Sequence, residues 1–497
     1  MKSTSRGWAA RLAATLGVVA LSALTLVPVA HAADPTGNID FTRQGSIIIH
    51  KSQQGGTGTG TPDGASSPTS SPVADVVFTA YPITSLPLNV AANWNTLSTL
   101  AVPADACDVP SLAGQTLGTG IVSAPTGSNG QTTLSGRSVA AYLVCETSAP
   151  STVVDRALPF VVTIPYPYKN DWLYSVNVYP KNGLATITKT ISAQTGLGLG
   201  STVTFPVTSD IAKIDPANNF AYYRVTDTMA TELTSPAVAS VQLNDAGTLT
   251  TVPAGYYSVN VAGQTATVEF TPAGLTWLKS QGGKKIVVTF TGVVSTVPAG
   301  GTISNTANLY ANTRNVVTPG TPSDPVVTKW GDLLIAKRDA QSRPLQGATF
   351  EVYPAADPYA ATCSATPAPG ASAISVSGAT QFTSGTNGNV TVAGLFVSDS
   401  VNATINSAYR CYVIKEVAAP AGYVLPVDAA ALTAVRVTAG TSTAADVTVT
   451  NTQQGVPQLP FTGAGSQVLL ISIGGGLLLL AGFGAILVRR HHRGTAG

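Results

Sequence analysis

The sequence predicts an all-β protein built from about three β-sandwich domains in tandem. Between an apolar segment near each end of the 497-residue chain, short runs alternate apolar and polar residues and are bounded by Gly, Pro, Asn or Ser. Helix-period patterning is scarce in this region, and Thr, Val, Ala, Gly and Pro dominate its composition. These features are typical of antiparallel sandwiches.

The end of the chain contains three signals in a fixed order. A pentapeptide is followed by an apolar run from 468 to 488 and by a basic tail from 489 to 493. The run is long enough to cross a bilayer as a helix, and the arginines favour a cytoplasmic tail. The pentapeptide consists of Leu459, Pro460, Phe461, Thr462 and Gly463. It resembles the L-P-x-T-G signal that Gram-positive sortases cleave between Thr and Gly.

The beginning of the chain predicts export. Lys2, Arg6 and Arg11 precede an apolar stretch, and Ala30 and Ala32 have the spacing of a signal-peptidase site. We therefore expect a signal peptide over 1–32, a mature protein over 33–462, and a sorting signal with a transmembrane helix and basic tail over 456–497.

Composition excludes several classes of function. Charged residues make up 10% of the chain and the formal net charge is +2, so nothing indicates a nucleic-acid partner. Of four histidines only His50 lies within 33–462, which excludes a histidine-rich metal site but leaves a serine–histidine–aspartate triad open. We expect no metal and no cofactor.

Two parts of the chain are copies of one unit. In each, a strand that ends in a lysine, Lys51 or Lys337, precedes an x-Phe-x-x-Tyr-Pro segment. Later, each copy contains Tyr-x-(Val/Ile)-x-Glu-x-x-Ala-Pro, in which the glutamate is Glu146 or Glu416. The predicted domains are therefore 33–181, 182–326 and 327–455, the first and last being related.

The four cysteines of an exported chain indicate two disulfide bonds, for which three pairings are possible. In both copies of the repeat, one cysteine lies in the long connection and the other lies beside the glutamate motif. The repeat therefore favours Cys107 with Cys145 and Cys363 with Cys411.

Two motifs carry a resemblance to a known family. The pattern around Glu416, from Tyr412 to Tyr423, looks like the E-box of collagen-adhesin B-type domains. A second pattern consists of Trp172, Val176, Val178, Tyr179, Pro180 and Lys181. It resembles the pilin motif and matches it at every defined position. The mature chain thus resembles the backbone (shaft) pilins of sortase-assembled Gram-positive pili. The resemblance implies tandem immunoglobulin-like domains in the order B-type, A-type, B-type.

The resemblance also implies how copies are joined. A pilus-specific class C sortase would cleave after Thr462 and transfer the acyl group to Lys181 of another copy, which produces an open head-to-tail fibre. Transfer to peptidoglycan by the housekeeping sortase would fix the fibre to the wall. Lys169 is the weaker alternative acceptor because it is not at the motif's lysine position.

A fibre of this kind implies a place and partners for the protein. The expected location is the cell surface, where the fibre supports adhesion and carries tip or base pilins. The sequence leaves the receptor open. Two other classes of protein are alternatives: a monomeric sortase-anchored adhesin, which the pilin motif argues against, and a surface enzyme, for which no separate domain is left over.

The family suggests a bond inside the last domain, and strand alternation tests it. Lys337, Glu416 and Asn451 each follow the core-facing phase of their strands. Desolvation lowers the pKa of a buried lysine and raises that of a buried carboxyl group, so the pair can be neutral. A neutral amine can then attack the Asn451 amide while Glu416 assists and ammonia leaves. A hydrogen-bonded Lys-Glu-Asn cluster is the noncovalent alternative.

The same test gives Lys189, Asp227 and Asn305 in the middle domain, which resembles the A-type arrangement with an assisting aspartate. The rival acceptors Asn308 and Asn312 fall on the opposite face of the last strand.

The first domain departs from this pattern. Lys51 and Glu146 are in phase with their cores, but Pro180 stands on the matching face of the last strand, where an asparagine is expected. We therefore predict an ion pair and no internal bond in this domain, and a loss of two ammonia molecules for the whole chain. A domain without a crosslink opens more easily, which would expose Lys181 to a sortase.

Overall fold

A computed structural model describes residues 38–56, 63–66, 71–316, 318–402, 404–456 and 479–486. The expected signal peptide at 1–32 and the pentapeptide at 459–463 lie outside these ranges, as does most of the apolar run at 468–488. Residues 479–486 are helical. Within the described ranges, no helix has both the length and the apolar character needed to cross a membrane.

The chain divides into two compact units. The first contains the chain up to Leu184 together with Lys213–Asn218, and the second contains Ala185–Ala212 and the chain from Asn219 onward. The second unit holds the strands of two sandwiches, so the described chain forms three β-sandwich domains.

In its described ranges, the first domain consists of short strands and one helix, α1 (Ala91–Thr99). Its main sheets have the orders β11-β1-β5 and β4-β3-β6-β8, and a smaller sheet has the order β2-β12-β7. Strands β1 to β12 span Gly45–His50, Ser52–Gln53, Val77–Pro82, Ile121–Val122, Gln131–Arg137, Ala140–Ser148, Val153–Asp155, Phe160–Ile164, Tyr166–Tyr168, Asp171–Leu173, Ser175–Val178 and Lys181–Leu184.

Alternation along β1 builds the core of the first domain. Ile47 and Ile49 are fully buried and pack with Phe78 and Tyr142 of the facing sheet. β1 pairs in parallel with β11, and the same register continues from β2 to β12. The chain segments β1–β2 and β11–β12 therefore remain side by side in one parallel register before and after Lys51.

The middle domain is a sandwich of two five-stranded sheets, β13-β14-β20-β16-β17 and β18-β19-β15-β22-β23. Its helix α2 (Pro272–Ser280) begins at Thr271, whose side chain accepts a hydrogen bond from the Gly274 amide at 3.2 Å. A 3₁₀ turn covers Ala254–Tyr256. Strands β13 to β23 span Ile187–Lys189, Thr202–Asp210, Tyr222–Thr228, Leu233–Asp245, Thr248–Thr251, Tyr257–Ala262, Thr265–Phe270, Lys285–Val294, Thr302–Asn305, Ala307–Asn312 and Thr321–Pro322.

The last domain is organised around one long strand, β24 (Val326–Asp339). The first part of β24 pairs with β21 of the middle domain, and its second part pairs in parallel with β30, the last strand of the last domain. The opposite sheet has the order β26-β25-β28-β29, and a 3₁₀ turn covers Asp428–Ala431. Strands β25 to β30 span Thr349–Pro354, Phe382–Thr383, Asn389–Asp399, Tyr409–Ala418, Leu432–Thr438 and Val447–Asn451.

Candidate functional site

The last domain brings Lys337, Glu416 and Asn451 together inside its core. The Lys337 side chain is fully buried and donates to Glu416 Oε2 at 3.2 Å and to Asn451 Oδ1 at closer range. Asn451 Nδ2 donates to Glu416 Oε1 at 2.7 Å. One oxygen of the Glu416 carboxylate thus contacts the lysine amine, and its other oxygen contacts the asparagine amide nitrogen. This is the arrangement needed to carry a proton from the amine to the amide nitrogen.

Burial makes this lysine a better nucleophile. Desolvation lowers the pKa of Lys337, and the Glu416 carboxylate offsets this only in part. Because a neutral amine has a free electron pair, the shift favours attack on the Asn451 amide carbon. The product would be a Lys–Asn isopeptide bond and one ammonia molecule.

The middle domain buries Lys189, Asp227 and Asn305 together, and Lys189 Nζ contacts Asp227 Oδ2. Burial lowers the pKa of Lys189 and raises the pKa of Asp227, so both groups tend toward their neutral forms. Asn305 ends β21, two residues before Ala307, which pairs with Asp227. The structure therefore places this asparagine beside the aspartate.

The rival acceptors in the middle domain lie farther along β22. Asn308 pairs with Thr226 and Asn312 pairs with Tyr222, one and five residues before Asp227 on β15. Asn308 is half-buried on the outer face. Asn312 is buried, but its Oδ1 accepts from the Arg314 amide at 2.8 Å in the turn that follows.

The first domain contains a cluster that the sequence argument missed. Lys51 Nζ donates to Glu146 Oε2 at 2.8 Å, which is the expected ion pair. Glu146 Oε1, however, accepts from Nδ2 of Asn182 at 2.9 Å, and Asn182 is fully buried. The prediction that this domain has no asparagine at the acceptor position is therefore wrong.

Strand register explains the error. In the last domain Lys337 pairs with Val449, and the acceptor Asn451 lies two residues farther along, opposite Asp339. In the first domain the parallel register places Asn182 opposite Gln53, two residues after Lys51. Pro180 therefore corresponds to Val449 and not to Asn451. The residue that corresponds to Asn451 is Asn182, two residues after Pro180 on the same face of the strand.

The two clusters differ at the amide oxygen. Asn182 Oδ1 accepts from the backbone N–H of Ala157 at 2.9 Å, and the same N–H also lies 3.1 Å from Glu146 Oε2. A fixed N–H donor at this oxygen would stabilise negative charge that develops during attack on the amide. Burial lowers the pKa of Lys51, as it does for the other two lysines.

The expected intermolecular acceptor, Lys181, begins β12 and is exposed, and no described residue forms an ion pair with it. It borders a cleft of about 220 Å³ together with Arg156, Ala157 and Leu158. A second groove, of about 330 Å³, runs between the edge strands β8 and β11 and meets the cleft at Phe160, Tyr179 and Pro180. The remaining motif residues line or pack near this groove: Val176 and Val178 form part of its wall, and Trp172 packs against the core.

Lys169 lies in different surroundings. It follows β9 in a turn with φ of 52°, and its Nζ is 4.8 Å from the centre of the Tyr168 ring. A hydrogen bond with Tyr168 raises the pKa of Lys169, which makes the neutral amine rarer.

Comparison with known proteins assigns the chain to a family. The family model for the Gram-positive pilin subunit D1, N-terminal domain, matches residues 42–183, and a prealbumin-like fold domain model matches residues 331–453. A fimbrial subunit type 2 from Actinomyces naeslundii is 38% identical over 99% of this chain and 98% of its own length. The chain belongs to the family of Gram-positive pilin subunits.

Two further proteins resemble this pilin over most of its length. A fimbrial subunit type 1 from Actinomyces viscosus is 30% identical over 97% of the chain and 96% of its own length. The structure of the full-length major pilin SpaD from Corynebacterium diphtheriae has a TM-score of 0.65 and 26% identity, covering 84% of the chain and 99% of SpaD. The predicted fold class, tandem immunoglobulin-like sandwiches, is confirmed.

Disulfide bonds fasten both related domains of the pilin. Cys107 is bonded to Cys145 and Cys363 to Cys411, which are the pairs that the repeat favours. Among the residues with described positions, no group of three or more His, Cys, Asp or Glu side chains is arranged to hold a metal ion.

Proposed function

We propose that this pilin is the major structural subunit of a covalent pilus, in which Thr462 of one copy is joined to Lys181 of the next. The observation that carries the proposal is an exposed lysine, free of ion pairs with described residues, at the last position of the pilin motif. The cleft and groove that meet beside it offer an approaching chain a surface next to the amine. The chain also resembles a fimbrial subunit and a major pilin over most of its length.

The joining step is an acyl transfer. A cysteine of a class C sortase attacks the Thr462 carbonyl, the bond to Gly463 breaks, and the amine of Gly463 leaves with the C-terminal segment. Neutral Nζ of Lys181 then attacks the thioester, an amide forms, and the sortase thiolate leaves. Transfer to a peptidoglycan amine by the housekeeping sortase ends growth and attaches the pilus to the wall. Tip or base pilins and an unidentified receptor complete the adhesive fibre.

A matched pair of variants tests the acceptor in cells that carry the sortases. Lys181→Arg keeps the positive charge but removes the acyl acceptor, and we expect the ladder of high-mass species on denaturing gels to disappear. Lys169→Arg should leave the ladder unchanged. A ladder that persists in Lys181→Arg and is lost in Lys169→Arg would move the acceptor to Lys169. Persistence in both variants would refute both assignments and indicate a different acceptor, whereas a native chain that forms no ladder would favour a monomeric wall-anchored adhesin.

We also propose that each domain forms an internal Lys–Asn bond. The pairs are Lys189 with Asn305 assisted by Asp227, Lys337 with Asn451 assisted by Glu416, and Lys51 with Asn182 assisted by Glu146. In each case the lysine nitrogen bonds to the amide carbon, the carbon–nitrogen bond of the asparagine breaks, and the carboxyl group moves the proton that completes ammonia. The support for the first-domain bond is the register and hydrogen bonding that it shares with the last domain.

Peptide mapping of the full-length chain tests the three bonds separately. We expect three crosslinked peptides and an intact mass that is lower by three ammonia molecules and, for two disulfides, four hydrogens. Asn182→Ala should restore one ammonia equivalent and remove only the peptide that contains Lys51. A native chain that lacks this peptide would return the first domain to a plain ion pair and leave the other two bonds unaffected.

A further inference from the structure

The middle domain orients its asparagine differently from the other two. In the first and last domains, one glutamate oxygen accepts from the lysine and the other accepts from the asparagine Nδ2, at 2.9 and 2.7 Å. Asp227 is one methylene shorter than glutamate. Its Oδ2 contacts Lys189, and its Oδ1 has no hydrogen-bond partner among the described residues. The Asn305 amide lies near enough to Asp227 to lower the pKa of that carboxyl group, but it makes no hydrogen bond of ordinary geometry with Oδ1, unlike its counterparts in the other two domains.

The acceptor that the Asn305 amide nitrogen meets within hydrogen-bond geometry is a sulfur atom. Asn305 Nδ2 donates to Sδ of Met229 at 3.2 Å, and both residues are only 3% exposed. Nδ2, the nitrogen that must leave as ammonia, thus donates a hydrogen bond to the sulfur, while the carbonyl oxygen Oδ1 has no hydrogen-bond partner among the described residues.

The surrounding chain fixes the sulfur. Met229 directly follows β15, which carries Asp227, and its backbone N–H donates to the Gln264 carbonyl at 2.8 Å. Across the sandwich, Gly292 faces this side chain: a Cβ atom placed on it would lie 3.2 Å from Leu233 Cβ and 3.4 Å from Sδ. A buried methionine often only fills a gap in a core. Here it also meets the single amide that is proposed to react.

We propose that Met229 is a positioning residue for the middle-domain crosslink: its sulfur holds the Asn305 amide so that Lys189 can reach the amide carbon. This inference rests on the proposed Lys189–Asn305 bond. In the reaction, Lys189 Nζ bonds to Cγ, the Cγ–Nδ2 bond breaks, and Asp227 passes the lysine proton to Nδ2. The sulfur only accepts a hydrogen bond and is neither oxidised nor protonated.

The sequence allows the sulfur to be replaced without changing the shape of the side chain. The chain has two methionines, Met1 and Met229, so growth of a methionine auxotroph on norleucine replaces one sulfur within the mature protein. The full-length chain is pulse-labelled, digested at intervals, and analysed for the Lys189–Asn305 peptide. The Lys337–Asn451 peptide in the same sample controls for folding and for digestion.

The expected result is a crosslink in the middle domain that forms about five-fold more slowly, the size of effect expected from one lost neutral hydrogen bond. The last-domain crosslink should form at its normal rate. Met229→Leu should behave like norleucine, and Met229→Gln, which offers an oxygen acceptor, should restore the rate. Equal rates with methionine and norleucine would overturn the positioning role. Absence of the Lys189–Asn305 peptide from the native chain would instead overturn the proposed bond, and this inference with it.

Discussion

Replacing Asn451 by alanine separates a covalent bond from a noncovalent cluster in the last domain. The bond would close a loop between residues 114 positions apart, and chain entropy assigns about 5 kcal/mol of stability to a crosslink of that span. If Lys337, Glu416 and Asn451 only share hydrogen bonds, the substitution removes the buried donor to Glu416 and costs about 1–3 kcal/mol. We therefore expect the melting temperature of this domain to fall by about 20 °C rather than by about 4–11 °C.

Calorimetry of the full-length chain, combined with its intact mass, gives the readout. Thr450→Ala is the matched control because Thr450 is exposed and alternation along the strand places it on the face opposite Asn451. It should shift the transition by about 2 °C or less. A decrease of about 11 °C or less for Asn451→Ala, with no gain of an ammonia equivalent relative to the native chain, would refute the covalent bond.

Two further predictions concern pH and redox state. In Asn305→Ala, stability should fall as pH rises above 3.8, because folded Asp227 keeps the proton that unfolded Asp227 loses. At higher pH, stability should rise toward pH 10.5, because folded Lys189 has already released the proton that the unfolded lysine still binds. Urea titrations that show no dependence of stability on pH would contradict the pKa shifts of both Asp227 and Lys189. Replacing Cys363 and Cys411 by serine opens a 48-residue loop and should cost about 4 kcal/mol, measured as a lower urea midpoint. An unchanged midpoint would mean that this disulfide contributes nothing to stability.

Alternation along the strands placed most of the candidate site correctly. A two-residue period is enough to put Lys337 on the buried face of β24 with Leu333 and Ile335, all of which are fully buried. It also separates Asn305 from the half-buried Asn308. This information is local to one strand, so it can be obtained from the sequence without knowing which strands are neighbours.

Pairing between strands is what the sequence did not supply. Alternation along a strand does not show which residue of the last strand lies opposite the lysine. The parallel register shows that, in both related domains, the asparagine pairs with the residue two positions after the lysine. Applying that offset, measured on the last domain, would have led from Pro180 to Asn182. Met229 carries no such signal, because its contact with Asn305 depends on how the end of β21 and the residue after β15 meet in space.

The position of Asn182 next to Lys181 bears on how a fibre responds to being pulled. In the proposed fibre, tension enters a subunit at Lys181 and leaves at Thr462, so residues before 181 are outside the stretched path. With the internal bonds in place, that path runs only through 181–189, 305–337 and 451–462, and the loops between the bonded residues cannot add their roughly 3.3–3.6 Å per residue of extension. The first-domain bond then acts differently from the other two, because it anchors β12 to β2 at the point where a neighbour pulls and prevents that strand from being peeled away.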